Sequence, residues 1–446
     1  MTSAKLSAPA SGLFGTDGVR GVAGERVTAE LALSIARAAT ELLDAERPQV
    51  LVLRDTRESG PMLQAAVAAG VAAAGGDAFL AGVLPTPAAS LLVRQHELDL
   101  AIVLSASHNP YQDNGIKLFG ADGMKLSDDV EAEIEAAIEQ PPAARRGIGR
   151  VRELRGAAED YVRELHERYF HLDLAGANLL LDCANGATHQ VAPALLRRLG
   201  ARVTAIGHQP DGRNINAGCG STHVDRLGEA VRDGGHDLGF AFDGDGDRVL
   251  AADRTGAVVD GDDLIALAAL HLRDRGRLPG NGVAITVMTN YGFHVAMEHA
   301  GIEVATTPVG DRNVLDELLA RGWAFGGEQS GHVIDLDFNA TGDGLATALL
   351  TLEALGGGDL AERRLIAKLP QRLVNVTVTD PDALLRSNAV QDAIAGEAGE
   401  LEGRGRVLVR ASGTEPLVRV MVEAPTDVEV DAVCGRLVAA VEAALG

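Results

Sequence analysis

Three aspartates at alternate positions give the sharpest chemical signal in the sequence. Asp243, Asp245 and Asp247 stand in AFDGDGDR, directly after an apolar run typical of a buried strand. Carboxylates this close repel one another unless a cation lies between them, and hard oxygen ligands suit Mg²⁺ or Ca²⁺. An EF-hand loop would need Gly and Glu where this chain has Arg248 and Arg254, so that interpretation fails. The pattern predicts a divalent-cation site, with a metal-free acidic turn as the alternative.

A second signal is SASHNPYQDNGIK, which follows an apolar strand-like run at Leu100–Leu104. It places Ser105, Ser107 and His108 at the carboxyl end of a strand, where ligands bind in open α/β sheets. The GxSxG motif of hydrolases is absent, so Ser107 is a candidate nucleophile or phosphate carrier and not the serine of a hydrolase triad. The alternative is a simple Ser/Asn-Pro turn.

Lys117, at the end of this segment, adds a candidate for acid–base chemistry. The chain has only four lysines, Lys5, Lys117, Lys125 and Lys368, among 40 basic residues. It therefore uses Arg almost wherever any cation will do. Because Lys can lose its proton in a site and Arg cannot, a Lys at this position favours a role in proton transfer.

The segment RASGTEPLVR near the C-terminus combines guanidinium groups, hydroxyls and glycine-exposed backbone N–H groups. These are the parts of a phosphate-binding site, and the candidate residues are Arg410, Ser412, Gly413, Thr414 and Arg419. The alternative is a hairpin whose two arginines are merely solvated.

Two further polar loops have little specificity on their own. FGGEQSGH contains Glu328, Ser330 and His332, and its Glu and Ser could bond neighbouring sugar hydroxyls. FGTDGVRG, near the N-terminus, presents Arg20 in a glycine-rich loop.

The elements that must position these residues follow an α/β pattern. Short Val, Ile and Leu runs alternate with Ala- and Leu-rich segments at helical spacing, as in βα units around buried parallel strands. The predicted strands are 50–53, 100–104, 179–181, 238–242 and 283–288. Helices are predicted from about Pro61 to Gly75 and from Asp262 to Gly276.

Changes of pattern suggest four domains, with boundaries in a Pro-, Gly- and Arg-rich stretch at 139–150, near 259 and near 368. The expected ranges are 1–150, 151–258, 259–368 and 369–446. The last resembles a small α+β domain, with strands in RVLVRAS and LVRVMVEA followed by one helix at about 427–445. We expect Val433, Leu437, Val441 and Ala444 to lie on the buried face of that helix.

Composition excludes several classes of partner. The hydrophobic content of 46% against 23% charged residues is typical of a globular protein, and a net charge of −23 argues against nucleic acid or an anionic membrane as a partner. Cys183, Cys219 and Cys434 lack CxxC spacing, so we expect neither disulfides nor a zinc site, and a reducing cytoplasm is the simplest setting. No signal peptide or membrane span is expected.

The motifs taken together resemble the α-D-phosphohexomutase superfamily, in one order along nearly the whole chain. The resemblance rests on LFGTDGVRG, RDTRESG, GVLPTP, SASHNPYQDNGIK, DGDGDR, TPVGDR, GGEQSGH and RASGTEPLVRV. It implies three topologically similar mixed α/β domains and a smaller C-terminal α+β domain around a central cleft.

The resemblance also implies roles for the matching residues. Ser107 would carry a transferable phosphoryl group, and Asp243, Asp245 and Asp247 would hold one Mg²⁺ together with a phosphoserine oxygen. Glu328 and Ser330 would bind sugar hydroxyls. The non-reacting phosphate would be bound by Arg410, Ser412, Gly413, Thr414 and Arg419. The reacting centre would be lined by Arg20, His108, Lys117, Arg248 and His332, with the general acid or base left open between Lys117 and His332.

The motif versions resemble the bacterial branch that acts on glucosamine phosphates. The implied reaction interconverts glucosamine 6-phosphate and glucosamine 1-phosphate through an enzyme-bound 1,6-bisphosphate, a step toward UDP-N-acetylglucosamine and the cell wall. The alternatives are action on glucose or mannose phosphates by the same chemistry, a phosphatase, and a non-catalytic sugar-phosphate binder. The resemblance leaves open whether the chain is a monomer or a homodimer.

Overall fold

The computed structural model describes residues 12–15, 17–139, 147–363, 365–412 and 416–445. Within these ranges the chain forms 18 strands and 13 α-helices, and the strands make four sheets. The described residues divide into two compact units. The first, called the cavity unit below, contains 12–288 and 303–363, and the second, called the hairpin unit, contains 289–302 and 365–445.

The first sheet of the cavity unit has six strands, which are β1 (Val19–Val22), β2 (Gln49–Arg54), β3 (Asp77–Val83), β4 (Leu100–Leu104), β5 (Asp113–Gly120) and β6 (Val151–Glu153). Its helices are α1 (Ala29–Leu42), α2 (Gly60–Ala73), α3 (Thr86–Gln95) and α4 (Asp128–Glu139). The strand order is β1-β5-β4-β2-β3-β6. β2, β3, β4 and β6 run parallel, and β5 runs antiparallel to β4 and β1.

The second sheet has five strands in the same unit. Its elements are α5 (Ala157–Arg168), β7 (Asn178–Asp182), α6 (Val191–Arg198), β8 (Arg202–Ile206), α7 (Val224–Gly234), β9 (Leu238–Phe242), β10 (Val249–Asp253) and β11 (Val258–Val259). The order is β11-β10-β9-β7-β8, with β7 parallel to β8 and β9, and β10 antiparallel to β9.

The third sheet has four strands. In chain order the elements are α8 (Gly261–Asp274), β12 (Gly282–Thr286), α9 (Tyr291–His299), β13 (Glu303–Thr307), α10 (Asp311–Arg321), β14 (Phe325–Gly327), β15 (Val333–Asp335) and α11 (Gly344–Leu355). The order is β13-β12-β14-β15, parallel except for the β14–β15 pair. Helix α9 belongs to the hairpin unit.

The three sheets share one four-strand arrangement, β5-β4-β2-β3, β10-β9-β7-β8 and β15-β14-β12-β13. In each, a fully buried parallel strand ends in a polar loop and the chain returns through a neighbouring antiparallel strand. These three strands are β4, β9 and β14, and their loops carry SASHNP, DGDGDR and EQSGH. The expectation of three similar mixed α/β sheets is confirmed, and the repeated arrangement puts each motif at the carboxyl end of an equivalent strand.

The hairpin unit contains an antiparallel sheet and two packed helices. Its elements are β16 (Gln371–Thr377), α12 (Asn388–Glu400), β17 (Arg406–Ala411), β18 (Leu417–Glu423) and α13 (Asp427–Leu445), and the strand order is β16-β18-β17. Valines of the sheet and the inner face of α13 form one apolar core. The prediction of a small α+β domain is confirmed, but β16 and α12 were not predicted.

The element predictions need three corrections. β12 ends at Thr286, before the predicted end at residue 288, and Val287 N donates to Thr307 O beyond it. Helix α8 is capped by Asp260, whose carboxylate accepts from two backbone N–H groups of the first turn, and therefore begins before Asp262. On α13, Ala444 is exposed and Leu445 is buried, because Leu445 lies one helical turn beyond the buried Val441.

Candidate active site

The loops after β4 and β9 meet at a serine and an aspartate. Ser107 Oγ donates to Asp243 Oδ2 at 2.5 Å, although the two residues lie 136 positions apart, and both are fully buried. A side chain at Gly244 would lie 2.6 Å from Ser107 O, so this close approach of the two loops requires glycine. The two sharpest sequence motifs therefore lie side by side.

Ser107 has a backbone conformation that the surroundings impose. Its φ is +52°, which is uncommon for a residue with a side chain and costs on the order of 1 kcal/mol. Ser105 Oγ accepts from Ser107 N at 3.0 Å, and Asn216 Nδ2 donates to Ser107 O at 2.9 Å. These contacts hold the hydroxyl in one direction.

Arg57 holds the same loop through hydrogen bonds to its backbone, and no role was predicted for this residue from the sequence. It is fully buried, its Nε donates to Asp55 Oδ2 at 2.7 Å, and its Nη2 donates to Ser107 O at 2.9 Å. The guanidinium also donates to the backbone carbonyls of Asn109, Pro110 and Asp113. The only signal in the sequence was its place in RDTRESG, since arginines are mostly exposed and burial of this one could not be assumed.

The three aspartates form one buried cluster. Each offers one carboxylate oxygen that lies within 4.8 Å of the corresponding oxygens of the other two. Thr86 Oγ1 donates to Asp245 Oδ2 at 2.6 Å, and Lys117 Nζ reaches the same oxygen at 2.9 Å. Burial and the two neighbouring carboxylates raise the pKa of Asp243 well above its usual value.

Two oxygens of this cluster fit a divalent cation. Asp245 Oδ1 and Asp247 Oδ1 are buried and accept no hydrogen bond from the described residues. Buried anionic oxygens without a partner are costly, and all-oxygen donor sets are those that Mg²⁺ and Ca²⁺ prefer. The donor chemistry therefore matches the cation site predicted from the sequence.

Lys117 lies against three carboxylates and is 1% exposed. Its Nζ lies 3.2 Å from Asp17 Oδ2, 2.9 Å from Asp245 Oδ2 and 3.2 Å from Asp247 Oδ2. Burial disfavours the charged ammonium, but these carboxylates outweigh that effect and raise the pKa of Lys117. Lys117 is thus held as a cation beside the aspartate cluster.

His108 and Arg248 lie next to Ser107. His108 Nδ1 is 3.4 Å from Ser107 Oγ and 3.1 Å from Arg248 Nη1. Burial, followed by the charges of Arg248 and Arg20, lowers the pKa of His108 to about 4, so its ring is neutral near pH 7. Arg20 reaches the same loop through Ala106 O at 3.5 Å.

A cavity of about 430 Å³ brings together the remaining groups of the cavity unit. It is lined by Leu13, Gly15, Asp17, Gly18, Arg20, Arg26, Asp247, Arg248, Val309, Gly310, Asp311, Glu328 and His332. Ser330, adjacent to the lining, donates to Glu328 Oε2 at 3.3 Å, and Glu328 Oε1 accepts from Gly310 N at 3.0 Å. Asp17, Arg26 and Asp311 were not predicted, although Asp17 and Asp311 stand in the quoted motifs FGTDGVRG and TPVGDR.

His332 is buried against this cavity. Neither of its ring nitrogens has a hydrogen-bond partner among the described residues. The ring packs on Gly342, where an added side chain would lie 2.5 Å from it. A histidine on a cavity wall whose ring nitrogens make no hydrogen bond to the described residues is available for a ligand.

The predicted phosphate residues at the C-terminus lie in the hairpin unit. Arg410 and Arg419 are directly opposite each other on β17 and β18, and Ser412 N donates to Leu417 O at 2.9 Å. Burial, followed by the neighbouring charge of Arg419, lowers the pKa of Arg410. Gly413 and Thr414 lie outside the described residues. The structure thus divides the predicted site residues into two groups, one in each unit.

Fold and site together define a phosphohexomutase, and the chain belongs to the phosphoglucomutase/phosphomannomutase family. The family's alpha/beta/alpha domains I, II and III match residues 11–145, 159–256 and 260–373, and its C-terminal domain matches 373–440.

Two curated relatives define the branch of the family. The phosphoglucosamine mutase of Desulforudis audaxviator is 50% identical over 436 residues, which cover 96% of this chain and 97% of that protein. The phosphoglucosamine mutase of Rhodococcus erythropolis is 50% identical over 92% of this chain and 95% of its own length.

Solved structures show the same architecture. A phosphoglucomutase/phosphomannomutase family protein from Burkholderia thailandensis has a TM-score of 0.82 at 25% identity, covering 96% of this chain and 97% of that one. The Aspergillus fumigatus N-acetylphosphoglucosamine mutase, solved with GlcNAc-6P and magnesium, has a TM-score of 0.69 at 19% identity, covering 97% of this chain and 96% of that one. At 19% identity the second comparison shows the fold alone. In the part of the chain that the structure describes, no helix has the length and apolar character needed to cross a membrane.

Proposed function

We propose that this chain interconverts glucosamine 6-phosphate and glucosamine 1-phosphate. The observation that carries the proposal is the Ser107 hydroxyl held 2.5 Å from Asp243 in a buried, all-oxygen cation site. The 50% identity to phosphoglucosamine mutases along nearly the whole chain supports this substrate over glucose or mannose phosphates.

Ser107 carries the phosphoryl group in this proposal. The sugar O1 attacks phospho-Ser107 and the bond from Ser107 Oγ to phosphorus breaks. The proton of the O1 hydroxyl passes to a base, and Ser107 Oγ takes up one proton to leave as a hydroxyl. The resulting glucosamine 1,6-bisphosphate reorients in the site, and Ser107 Oγ then attacks its 6-phosphate. The bond from phosphorus to O6 breaks, the serine proton is given up, and O6 takes up a proton, which leaves glucosamine 1-phosphate. Because phosphate monoesters react extremely slowly without help, the protein must supply position and positive charge.

The charged side chains around Ser107 provide that setting. Asp243, Asp245 and Asp247 would hold one Mg²⁺ with a phosphoserine oxygen, and the ion would neutralise charge on the transferring group. Lys117 keeps Asp245 and Asp247 in place, while Arg248 and Arg20 add cations beside the serine. His108 braces Ser107 and Arg248.

We assign the proton transfer at the sugar hydroxyl to His332. Lys117 faces three carboxylates with its three N–H donors, which leaves no direction in which it could receive a sugar proton. His332 lies on the cavity wall, neither ring nitrogen has a hydrogen-bond partner among the described residues, and Nε2 lies 3.7 Å from Asp311 Oδ2. Lys117 then acts as a fixed cation.

Two other groups bind the substrate. Glu328 and Ser330 would accept from and donate to sugar hydroxyls. Arg410, Ser412 and Arg419, with Gly413 and Thr414 of the same segment, would bind the phosphate that is not reacting. Two like charges opposite each other in a hairpin repel, so an anion between them relieves the repulsion.

The proposal also includes the domain boundaries, location, partner and oligomeric states expected from the sequence. The domains are 1–150, 151–258, 259–368 and 369–446, the location is the cytoplasm, and the partner is a small hexosamine phosphate with neither nucleic acid nor membrane. Glucosamine 1,6-bisphosphate is both intermediate and activator, and the chain acts as a monomer or homodimer.

The test is ³¹P NMR of the phosphorylated protein with Mg²⁺, given glucosamine 6-phosphate and glucose 6-phosphate in parallel. A faster rise of the 1-phosphate signal from the amino sugar supports the proposal. A preference for glucose moves the assignment to glucose phosphates with the same residues, and free phosphate without any 1-phosphate identifies a phosphatase. Ser107→Ala, treated in the same way, should give no 1-phosphate.

A further inference from the structure

Lys125 joins three separate segments of the cavity unit through one ammonium group. It follows β5, its side chain is only 10% exposed, and its Nζ donates to Asp17 Oδ1 and to Asp311 Oδ2. Asp17 lies in the loop before β1, and Asp311 is the first residue of α10. We call this contact the Asp17–Lys125–Asp311 bridge.

Asp17 and Asp311 also lie next to Lys117 and His332, the two candidates that the sequence left open for the general acid or base. Asp17 Oδ2 lies 3.2 Å from Lys117 Nζ, and Asp311 Oδ2 lies 3.7 Å from His332 Nε2. Asp17 and Asp311 also line the cavity. A continuous set of polar contacts therefore runs from Lys117 to His332, with Lys125 at its centre.

We propose that Lys125 is a positioning residue, which fixes Lys117 and His332 relative to each other by holding Asp17 and Asp311 together. The inference deepens the proposed function and rests on it, because positioning is defined relative to the phosphoryl transfer. Lys125 reaches the reacting atoms only through Asp17 and Asp311.

The chemistry of the bridge explains a lysine at this position in a chain that prefers arginine. A compact ammonium on a flexible stem can point separate donors at two carboxylates on different segments, whereas a planar guanidinium directs its donors in a fixed fork. Without the ammonium, Asp17 is left with Lys117 and Arg20, and Asp311 loses its ion pair. Both carboxylates would then shift, and Lys117 and His332 would shift with them.

Steady-state kinetics of Lys125→Met, Lys125→Arg and the control Arg168→Met test the proposal. Arg168 pairs with Asp335 at 3.3 Å between α5 and β15 of the same unit, and neither residue lines the cavity. We expect kcat of Lys125→Met to fall ~10²-fold with KM within ~3-fold, as for other displacements of about 1 Å at a reacting centre. Lys125→Arg should recover only part of kcat, and Arg168→Met should stay within ~2-fold of wild type.

A double-mutant cycle separates positioning from a general structural role. If Lys125 acts through His332, Lys125→Met should lower kcat less than ~3-fold in a His332→Ala background, because the two changes remove the same arrangement. Effects on kcat that simply multiply, or a KM rise with kcat unchanged, would overturn the proposal. Should Lys125→Met not fold, Lys125→Gln, which keeps a polar donor, goes through the same cycle.

An NMR measurement that needs no catalytic turnover tests this inference independently of the proposed function. Ring Cε1–H signals of the histidines are recorded by ¹H–¹³C NMR, with His332 assigned through His332→Gln. Lys125→Met should shift the His332 signal and leave that of His236, which contacts Asn178, in place. An unmoved His332 signal contradicts the bridge even in a protein with full activity. If the wild type converts neither sugar phosphate, the proposed function fails while the NMR result still decides whether Lys125 positions His332.

Discussion

The surroundings of Ser107 and the Arg410–Arg419 hairpin both handle phosphate in the proposed reaction, yet they are built differently. Ser107 and Asp243 are fully buried, and Lys117 is 1% exposed. Arg410 and Arg419 are only partly buried and stand opposite each other on neighbouring strands. Near Ser107 the cations Lys117 and Arg248 lie beside the three clustered aspartates, whereas the hairpin places two arginines opposite each other.

The difference follows from what each region must do. Phosphoryl transfer needs charges held in one arrangement before the reaction, because reorganisation at that moment is costly. In the proposed reaction the hairpin would bind the 1-phosphate in one half-reaction and the 6-phosphate in the other, so it would need affinity for phosphate without a single fixed pose. Two partly buried arginines on neighbouring strands meet that requirement, because each guanidinium can donate several hydrogen bonds to a phosphate. Changes near Ser107 should therefore lower kcat, and changes in the hairpin should raise KM.

Ser107→Ala should give the largest effect, because it removes the atom that carries the phosphoryl group. We expect turnover to fall by at least ~10⁴-fold, as when other covalent nucleophiles are removed, while sugar-phosphate binding stays within a few-fold. ³¹P NMR measures turnover and calorimetry measures binding. Ser105→Ala removes a hydroxyl that accepts from Ser107 N and donates to Asp55 Oδ2 but carries no phosphoryl group, so it is the control and should lose far less. Turnover of Ser107→Ala near the wild-type rate would exclude Ser107 from the mechanism.

Asp245→Asn should give the next largest effect, on metal binding and rate together. We expect both to fall at least ~10²-fold, since changes to groups that merely support a metal ligand already cost about 10–100-fold. Calorimetric Mg²⁺ titration and activity at varied Mg²⁺ measure the two effects. The matched control is Asp253→Asn, a buried aspartate at the end of β10 that accepts from Thr255. Activity that survives chelation of divalent ions would contradict the metal assignment.

Arg419→Ala tests the hairpin side of the comparison. Losing a charged hydrogen-bond donor to phosphate should raise KM about 10–100-fold and leave kcat within ~3-fold. The thermal midpoint should not fall, because the change also removes a like charge opposite Arg410. Arg372→Ala, on the outer strand β16 with an exposed partner in Asp431, is the control. If Arg419→Ala lowered kcat with KM unchanged, the proposed division of labour would be wrong.

The smallest expected effect is a pH dependence of stability in the cavity unit. Burial raises the pKa of Asp343, which caps α11, from 3.8 to about 6. Between these two values the folded chain holds a proton that the unfolded chain has released. This carboxyl thus contributes stability at low pH, on the order of 3 kcal/mol, that is lost as the pH rises through about 6.

Urea unfolding at pH 4 to 8 should show this loss in the wild type and not in Asp343→Asn. Tyr161 OH donates to Asp343 at 2.9 Å and lowers its pKa, so Tyr161→Phe should move the loss to higher pH. Equal pH profiles for the wild type and Asp343→Asn would show that Asp343 does not titrate in this range.

Local patterns in the sequence predicted much of the fold. They also gave the candidate residues around Ser107 and in the Arg410–Arg419 hairpin. The five strands predicted from apolar runs are present, as are the two predicted in RVLVRAS and LVRVMVEA, because such patterns reflect burial within a sheet. β16 and α12 were missed. β16 is an outer strand whose residues are largely exposed, and on α12 only Val390 is fully buried, so neither carries a strong apolar period.

From the sequence alone it follows which chemical groups are available and that Ser107 and the three aspartates stand directly after strands. Only the tertiary structure decided which of them meet. It placed Ser107 against Asp243 and surrounded Lys117 with three carboxylates. The Arg57 contacts and the Asp17–Lys125–Asp311 bridge were likewise absent from sequence reasoning. The physical reason is that periodicity and motif spacing report contacts between near neighbours, whereas the pairing of buried charges depends on which strand ends the sheets bring together.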